Sequence, residues 1–227
     1  MASVQYPSPV RAPPHVLALL ERLHQASRVQ EDAIQAAELE AHGFDNYMRD
    51  KFIALDRDKA EFVYQVCLAV GAKTVVEAGT SFGVSTIYLA LAVSENVQKA
   101  GDGKGGVVIA TEYEKAKADK AREHWKEVGD EITGCIQLRE GDILETLKQD
   151  LPEIDVLLLD IWARMALPVL KLCQPRMRRG AVVIADNTIG SADKYKDLLE
   201  YMRDPSSGFR NLTLPYTNGL EMSVYMP

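Results

Sequence analysis

The chain has 227 residues, 47% hydrophobic and 26% charged, with a formal net charge of −7. That is enough for one sizeable soluble domain with a core of its own. The acidic balance excludes a binder that works by neutralising nucleic-acid phosphates, and no apolar run approaches the ~18 residues of a membrane span.

The first residues, MASVQYPSPVRAPP, lack an apolar core of signal-peptide length, so a cytoplasmic protein is expected. The three cysteines, Cys67, Cys135 and Cys173, form no CxxC spacing. They read as small hydrophobes in a reducing compartment, neither a disulfide framework nor a zinc site.

In chain order, residues 1–14 are Pro- and Ser-rich and suggest an extended arm. Val16, Leu19, Leu20 and Leu23 fall at i, i+3, i+4, i+7 and predict a helix over HVLALLERLHQAS. A second helix is expected over EDAIQAAELEA, stopped by Gly43. A third follows in DRDKAEFVYQVCLAVGA, capped by Asp56 or Asp58 and closed by Gly71. Residues 1–50 thus form an N-terminal arm with helices, and 51–227 a main domain within one globular unit.

From Lys73 the pattern alternates: TVVEAG, GVVIATEY, CIQLREGD, IDVLLLD and GAVVIADN read as strands, each followed by a helical stretch. Repeated β–α units with apolar, β-branched strands predict an α/β fold with a doubly wound parallel sheet. The end, FRNLTLPYTNGLEMSVYMP, reads as a hairpin turning at Asn218-Gly219, so one terminal strand must run antiparallel. Arg176, Arg178 and Arg179 read as a solvated helix C-terminus. His124 and Trp125 read as packing or surface residues.

In such a sheet, ligands bind at the carboxyl ends of the strands. Glu77, Glu112, Asp160 and the pair Asp186-Asn187 stand at those ends. The turn after Glu77, GTSFG, is neither GxGxxG nor a Walker loop. An acid beside it disfavours a pyrophosphate and suits an ammonium, while Glu112 is placed to bind a ribose diol. A cationic amino acid joined to a nucleoside fits both, which points to S-adenosylmethionine. Asp160, Asp186 and Asn187 offer three oxygen ligands, so the expected metal is hard: Mg²⁺, Mn²⁺ or another divalent cation. That leaves room for a vicinal diol such as a catechol. Each of these residues could instead cap a helix or a turn.

The motifs VVEAGTSFGVST, ATEY, EGD, LLLDIW, VVIADN and NGLEMSVY together resemble the cation-dependent class I O-methyltransferases of catechol and caffeoyl-CoA type. The resemblance runs from about Leu55 to the C-terminus. It implies a Rossmann-like sheet of order 3-2-1-4-5-7-6 with the last strand antiparallel. It implies that Glu77, Gly79, Thr80, Ser81, Phe82 and Ser85 hold the methionine part of the donor, with Leu55 lining that side. Glu112 would bind the ribose, Tyr113 would lie near the adenine, and Gly141 and Asp142 would border its slot. Asp160, Asp186 and Asn187 would bind the metal beside the donor. Trp162 would wall the site, and Asn187 and Glu221 would lie by the acceptor, Glu221 against its second hydroxyl. Met165 is close enough to Asp160 in sequence to line the acceptor side.

One departure concerns the base. The family carries a lysine three residues after the metal-binding aspartate, where this chain has Ala163. Arg164 follows and is counted with the catalytic candidates Asp160, Asp186 and Asn187, although a guanidinium does not give up its proton. The leading expectation is a divalent-cation-dependent O-methyltransferase acting on a small phenolic substrate, a homodimer through its N-terminal helices. The alternatives are an NAD(P)-dependent Rossmann oxidoreductase and a non-catalytic S-adenosylmethionine-binding module.

Overall fold

The computed structural model describes residues 7–35, 37, 41 and 43–227. Helix α1 (Pro14–Asp32) opens with proline in its first turn, where a missing N–H costs nothing. It buries Val16, Leu19, Leu20 and Leu23, the stripe read from the sequence. The helix expected over residues 31–41 does not begin where predicted: α1 runs on through Asp32 and turns at Ala33. Residues 36 and 38–40 of that expectation, like residues 1–6 of the arm, lie outside the described residues. A short α2 (Phe44–Met48) precedes α3 (Arg57–Ala69), which buries Lys59, Ala60, Val63, Tyr64, Val66 and Cys67. Asp56 takes the N-cap position of α3 without a side-chain cap bond, and Gly71 follows the helix with φ +62°.

Seven strands make one sheet: β1 (Thr74–Ala78), β2 (Val107–Glu112), β3 (Ile136–Glu140), β4 (Ile154–Leu159), β5 (Met177–Asp186), β6 (Phe209–Leu214) and β7 (Leu220–Tyr225). Their order is β3-β2-β1-β4-β5-β7-β6, as the resemblance implied. The pairs from β3 to β5 are parallel, and β7 runs antiparallel to both β5 and β6. The hairpin turns where expected, with Asn218 and Gly219 both at positive φ.

The alternation of strand side chains sorts the core into two layers. Val75, Val108, Val156, Leu158, Val182 and Ile184 pack with α1, α3 and α4 (Val84–Ala100). Val76, Ile109, Leu157, Leu159, Val183 and Ala185 pack on the other face with α8 (Ala163–Cys173) and α9 (Lys196–Arg203). Between these come α5 (Lys115–Val128), α6 (Asp130–Thr133) and α7 (Ile143–Thr146). α1 shares the core of the first face, with His24 buried and hydrogen-bonded to Tyr88 of α4 at 2.9 Å. Among the described residues no helix is long and apolar enough to cross a membrane.

The arginine run differs from its reading as a helix C-terminus. β5 begins at Met177, ahead of Gly180, so Arg178 and Arg179 are strand residues. Arg178 bonds Asp155 at 2.5 Å and the carbonyl of Val70 at 3.1 Å, while Arg179 reaches the carbonyl of Pro227. Asp155 also accepts from the backbone N–H groups of Lys73 and Thr74, both at 2.8 Å. The run laces the sheet edge opposite the ligand crevice.

Candidate active site

β1 ends in Glu77 and Ala78, and the turn Gly79–Gly83 leads into α4. Gly79 sits at φ +95°, and a Cβ there would lie 2.0 Å from the backbone oxygen of Asp160. Only glycine lets the ends of β1 and β4 meet this closely. Ser81, at φ +48°, is a non-glycine residue held in the left-handed region. The turn is tied down by Thr80 N–H to the Thr111 carbonyl at 2.9 Å and Gly83 N–H to the Thr80 carbonyl at 2.8 Å.

Glu77 is fully buried beneath this turn. One carboxylate oxygen accepts from Ser85 Oγ at 2.6 Å; the other accepts from Thr80 Oγ1 at 2.8 Å and Thr86 Oγ1 at 2.6 Å. Burial pushes its pKa up, and the three hydroxyls and the nearby charge of Glu112 act after that. The acid expected to face the donor's ammonium therefore organises the turn and the first residues of α4 from below.

Glu112 closes β2. Its two oxygens accept the backbone N–H groups of Ser81 at 2.7 Å and Glu114 at 2.8 Å. Burial raises its pKa, opposed by those backbone bonds. The carboxylate fastens the turn after β1 to the end of β2 and keeps lone pairs for a further donor. Tyr113 next to it is 72% exposed, a ring face open at the strand end. Gly141, at φ +112°, donates its N–H to the Glu112 carbonyl, and Asp142 caps α7 through Leu144 N–H at 2.9 Å.

A cleft joins the candidates on this side. It is lined by Phe52, Ile53, Ala54, Leu55, Gly79, Thr80, Ser81, Phe82, Val84, Ser85 and Asp160. Leu55, the five turn and helix residues and Asp160 are thus brought together as expected. The segment before α3 folds over the turn, with the Phe52 and Phe82 rings 4.5 Å apart. Ala54 N–H bonds Ser27 Oγ at 2.8 Å, and Phe52 N–H bonds Gln30 of α1. Two residues read only as packing or surface take part: His124 Nδ1 donates to the Phe82 carbonyl at 2.9 Å, and Trp125 Nε1 to the Gly83 carbonyl at 3.0 Å. Trp125 belongs to the stripe Ala118, Ala121, Trp125, Val128, which was the available signal.

On the other side of the switch point, Asp160 follows β4 and Asp186 ends β5. Burial, then the charges of Asp186 and Glu77, push the Asp160 carboxyl up to about 8, and Lys59 acts against them. Asp186 is raised too, first by burial. Asn187 lies at φ +62° and turns its amide onto Asp186 Oδ2 at 3.1 Å. The hairpin turn grips this segment: Ile189 and Gly190 N–H groups bond the Asn218 carbonyl, and Asn187 N–H bonds that of Gly219. Among the described residues, the Thr188 hydroxyl is the buried side-chain polar atom without a hydrogen-bond partner.

The sequence reading missed Lys59. It is 1% exposed, and its ammonium lies 2.7 Å from Asp186 Oδ1 and 2.9 Å from Asp56 Oδ2. Its place at i, with Val63 at i+4 and Val66 at i+7, marks it as the polar member of an apolar stripe.

Trp162 occupies the N-cap position of α8, with the Arg164 guanidinium 5.8 Å from its ring centre. Arg164 is exposed and Met165 half-buried. Glu221 is not brought to the site. Leu220 and Met222 pack on the face of α1, α3 and α4, so alternation turns Glu221 to the opposite face. It is fully buried, accepting from Thr213 Oγ1 at 2.7 Å and from Arg203 of α9 at 3.1 Å. That placement corrects the expectation that it meets the acceptor.

Among the described residues no three His, Cys, Asp or Glu side chains gather as a metal cluster. The set Asp160, Asp186 and Asn187 has two carboxylates and one amide. The two acids raise each other's cost of ionising, and one lysine serves as counter-charge to Asp186. These are oxygen donors of the kind a hard divalent cation takes, but Lys59 holds Asp186 Oδ1 and the Asn187 amide donates to Oδ2.

The sequence model of a methyltransferase domain family matches residues 76–188, from β1 to the segment after β5. The chain is 29% identical over 182 residues to the catechol O-methyltransferase of Mycobacterium tuberculosis, covering 78% of this chain and 73% of that one. An O-methyltransferase from Bacillus cereus, solved with S-adenosylhomocysteine, superposes with a TM-score of 0.69 at 20% identity over 92% of this chain and 90% of that one. TomG from Streptomyces achromogenes, an O-methyltransferase involved in tomaymycin synthesis solved with S-adenosylmethionine, gives 0.67 at 16% identity over 90% and 99%. The strand order and the turn after β1 agree with these likenesses: residues 76–188 match a methyltransferase domain, and the chain has the fold of these O-methyltransferases.

Proposed function

We propose that this protein transfers the methyl group of S-adenosylmethionine to a hydroxyl of a small phenolic, catechol-like acceptor. The observation that carries the reading is the meeting of two kinds of site at one crevice. A braced glycine turn with Glu112 lies on one side, and an acid pair with Asn187 on the other, Asp160 lining the shared cleft. The donor's methionine part belongs along Gly79–Ser85, its ribose at Glu112, and its adenine between Tyr113 and Gly141. The acceptor belongs beside Asp160, Trp162 and Met165.

The reaction breaks the sulfur–methyl bond and forms an oxygen–methyl bond; the sulfur keeps the electron pair. The hydroxyl proton passes to solvent, because Ala163 stands where the family has its lysine. A phenol of pKa near 10 is ionised about once in a thousand at pH 7, which costs about 4 kcal/mol. A divalent cation held by Asp160, Asp186 and Asn187 would lower that cost by stabilising the phenolate. The chain's own residues supply alignment, through the rigid turn and the apolar cover of Phe52 and Leu55. Glu77 and Glu221 serve as scaffold.

A cytoplasmic homodimer belongs to the same reading. Cys67, Cys135 and Cys173 are free thiols, and Val29 is 59% exposed beside Ala26 on α1. Light scattering on the purified chain should give twice the chain mass. Calorimetry tests the donor: S-adenosylhomocysteine is expected to bind and NADH not, and the reverse would overturn the reading. Turnover on catechol or caffeate should fall in excess EDTA and return with Mg²⁺; full activity in EDTA would remove the cation.

A further inference from the structure

Asp186 ends β5 on the face covered by α3, because it shares the parity of Val182 and Ile184. α3 answers with Lys59, whose four-carbon stem lies in the core while its ammonium reaches the strand end. A buried ammonium is stable only when paired, and this one has two acids. Asp186 holds it at 2.7 Å and Asp56 at 2.9 Å. Asp186 is 6% exposed at its side chain, and Asp56 is 43% exposed. Two of the three N–H groups are thereby used. The inner bond falls on Asp186 Oδ1, while Oδ2 accepts from the Asn187 amide at 3.1 Å, so a cation that binds Asp186 has to displace one of these donors.

Charge makes the consequence definite. Asp160 and Asp186 together carry two negative charges when ionised, and a divalent cation would neutralise both. With Lys59 fixed on Asp186, part of that charge is already balanced, and a fixed positive charge stands within a few ångströms of the incoming ion. Repulsion at that range is strong wherever water is excluded.

We propose that Lys59 is a built-in competitor for the divalent cation at Asp186, so that this protein holds its cation weakly. Asp56 sets how hard Lys59 competes, since it draws the same ammonium toward the surface. The inference rests on the proposed cation site and adds a residue from outside it. Lys59 is a positioning residue: it acts through Asp186, with which it is paired.

The test uses Mn²⁺, with binding read from the loss of the free-ion electron paramagnetic resonance signal, on the full chain with S-adenosylhomocysteine present. Lys59→Met should tighten Mn²⁺ binding by about tenfold or more. Lys59→Arg, which keeps the charge, should bind like the wild type. Asp56→Asn should act in the opposite sense, weakening Mn²⁺ binding because Lys59 then rests on Asp186 alone. Asp56 is partly exposed, so this variant gives a reading even where Lys59→Met does not fold. Unchanged or weaker Mn²⁺ binding in a folded Lys59→Met, or unchanged or tighter binding in Asp56→Asn, would overturn the competition while leaving the cation site standing. Absence of Mn²⁺ binding in the wild type and in folded Lys59→Met alike would remove the cation site itself, and the inference with it.

Discussion

On the donor side of the crevice, Glu77 and the hydroxyls that hold it lie at most nine positions apart in the chain. On the acceptor side, Lys59 and Asp186 are 127 positions apart and meet only because α3 packs over the end of β5. The first cluster is a local device: a strand, a glycine turn and a helix start fix it almost by themselves. The second is a tertiary device, with its charges delivered by three separate elements. Changes on the donor side should therefore damage fold and cofactor affinity together, while changes on the acceptor side should touch turnover and leave the cofactor in place.

The largest effect expected is at Gly79. Gly79→Ala puts a methyl group into the Asp160 backbone at a φ that disfavours it, and should cost about 3 kcal/mol or more of stability. S-adenosylhomocysteine binding by calorimetry should be lost with it. Retained affinity and a normal denaturation midpoint would break the contrast, since the turn would then be adaptable.

Acid should loosen the layer behind the donor turn. His24 of α1, buried against Tyr88 of α4, has its pKa lowered to about 4 from 6.5, chiefly by burial. Between those values the unfolded imidazole binds a proton that the folded one refuses. Stability thus falls as pH drops from 6.5 to about 4, by about 3 kcal/mol from this group. Urea midpoints across that range check it, and His24→Gln should flatten the slope.

Asp160→Asn sharpens the comparison from the other side. Turnover should fall about 100-fold, with S-adenosylhomocysteine affinity within about threefold of wild type. A parallel loss of both would mean that the two sides act as one unit. The smallest effect belongs to Glu221→Gln, which weakens the bonds to Arg203 and Thr213. About 1 kcal/mol of stability is expected, with the KM for a catechol acceptor unchanged. A raised KM at unchanged stability would return Glu221 to the acceptor site.

The sequence made the donor side legible because its determinants are local. The apolar run into Glu77, the glycines at 79 and 83 and the acid at Glu112 each carry their meaning within a few residues. Strand order and the antiparallel β7 came from the resemblance, and the hairpin from its Asn218-Gly219 turn. Lys59 was not legible, although it stood in an apolar helical stripe, because nothing local says which strand end it will meet. Glu221 was misplaced although its alternation with Leu220 and Met222 was readable; a motif placed it at the acceptor, while period-2 geometry turns it to α9. Arg178 illustrates the same limit, since its partners, Asp155 and Val70, are set by sheet packing.

The most direct test of the central claim is a mass-spectrometric assay of catechol incubated with the protein, Mg²⁺ and S-adenosylmethionine carrying a deuterated methyl group. The account predicts a catechol monoether bearing one intact trideuteromethyl group, formed in step with S-adenosylhomocysteine. A protein that binds S-adenosylhomocysteine yet leaves catechol and related phenols unlabelled would contradict it.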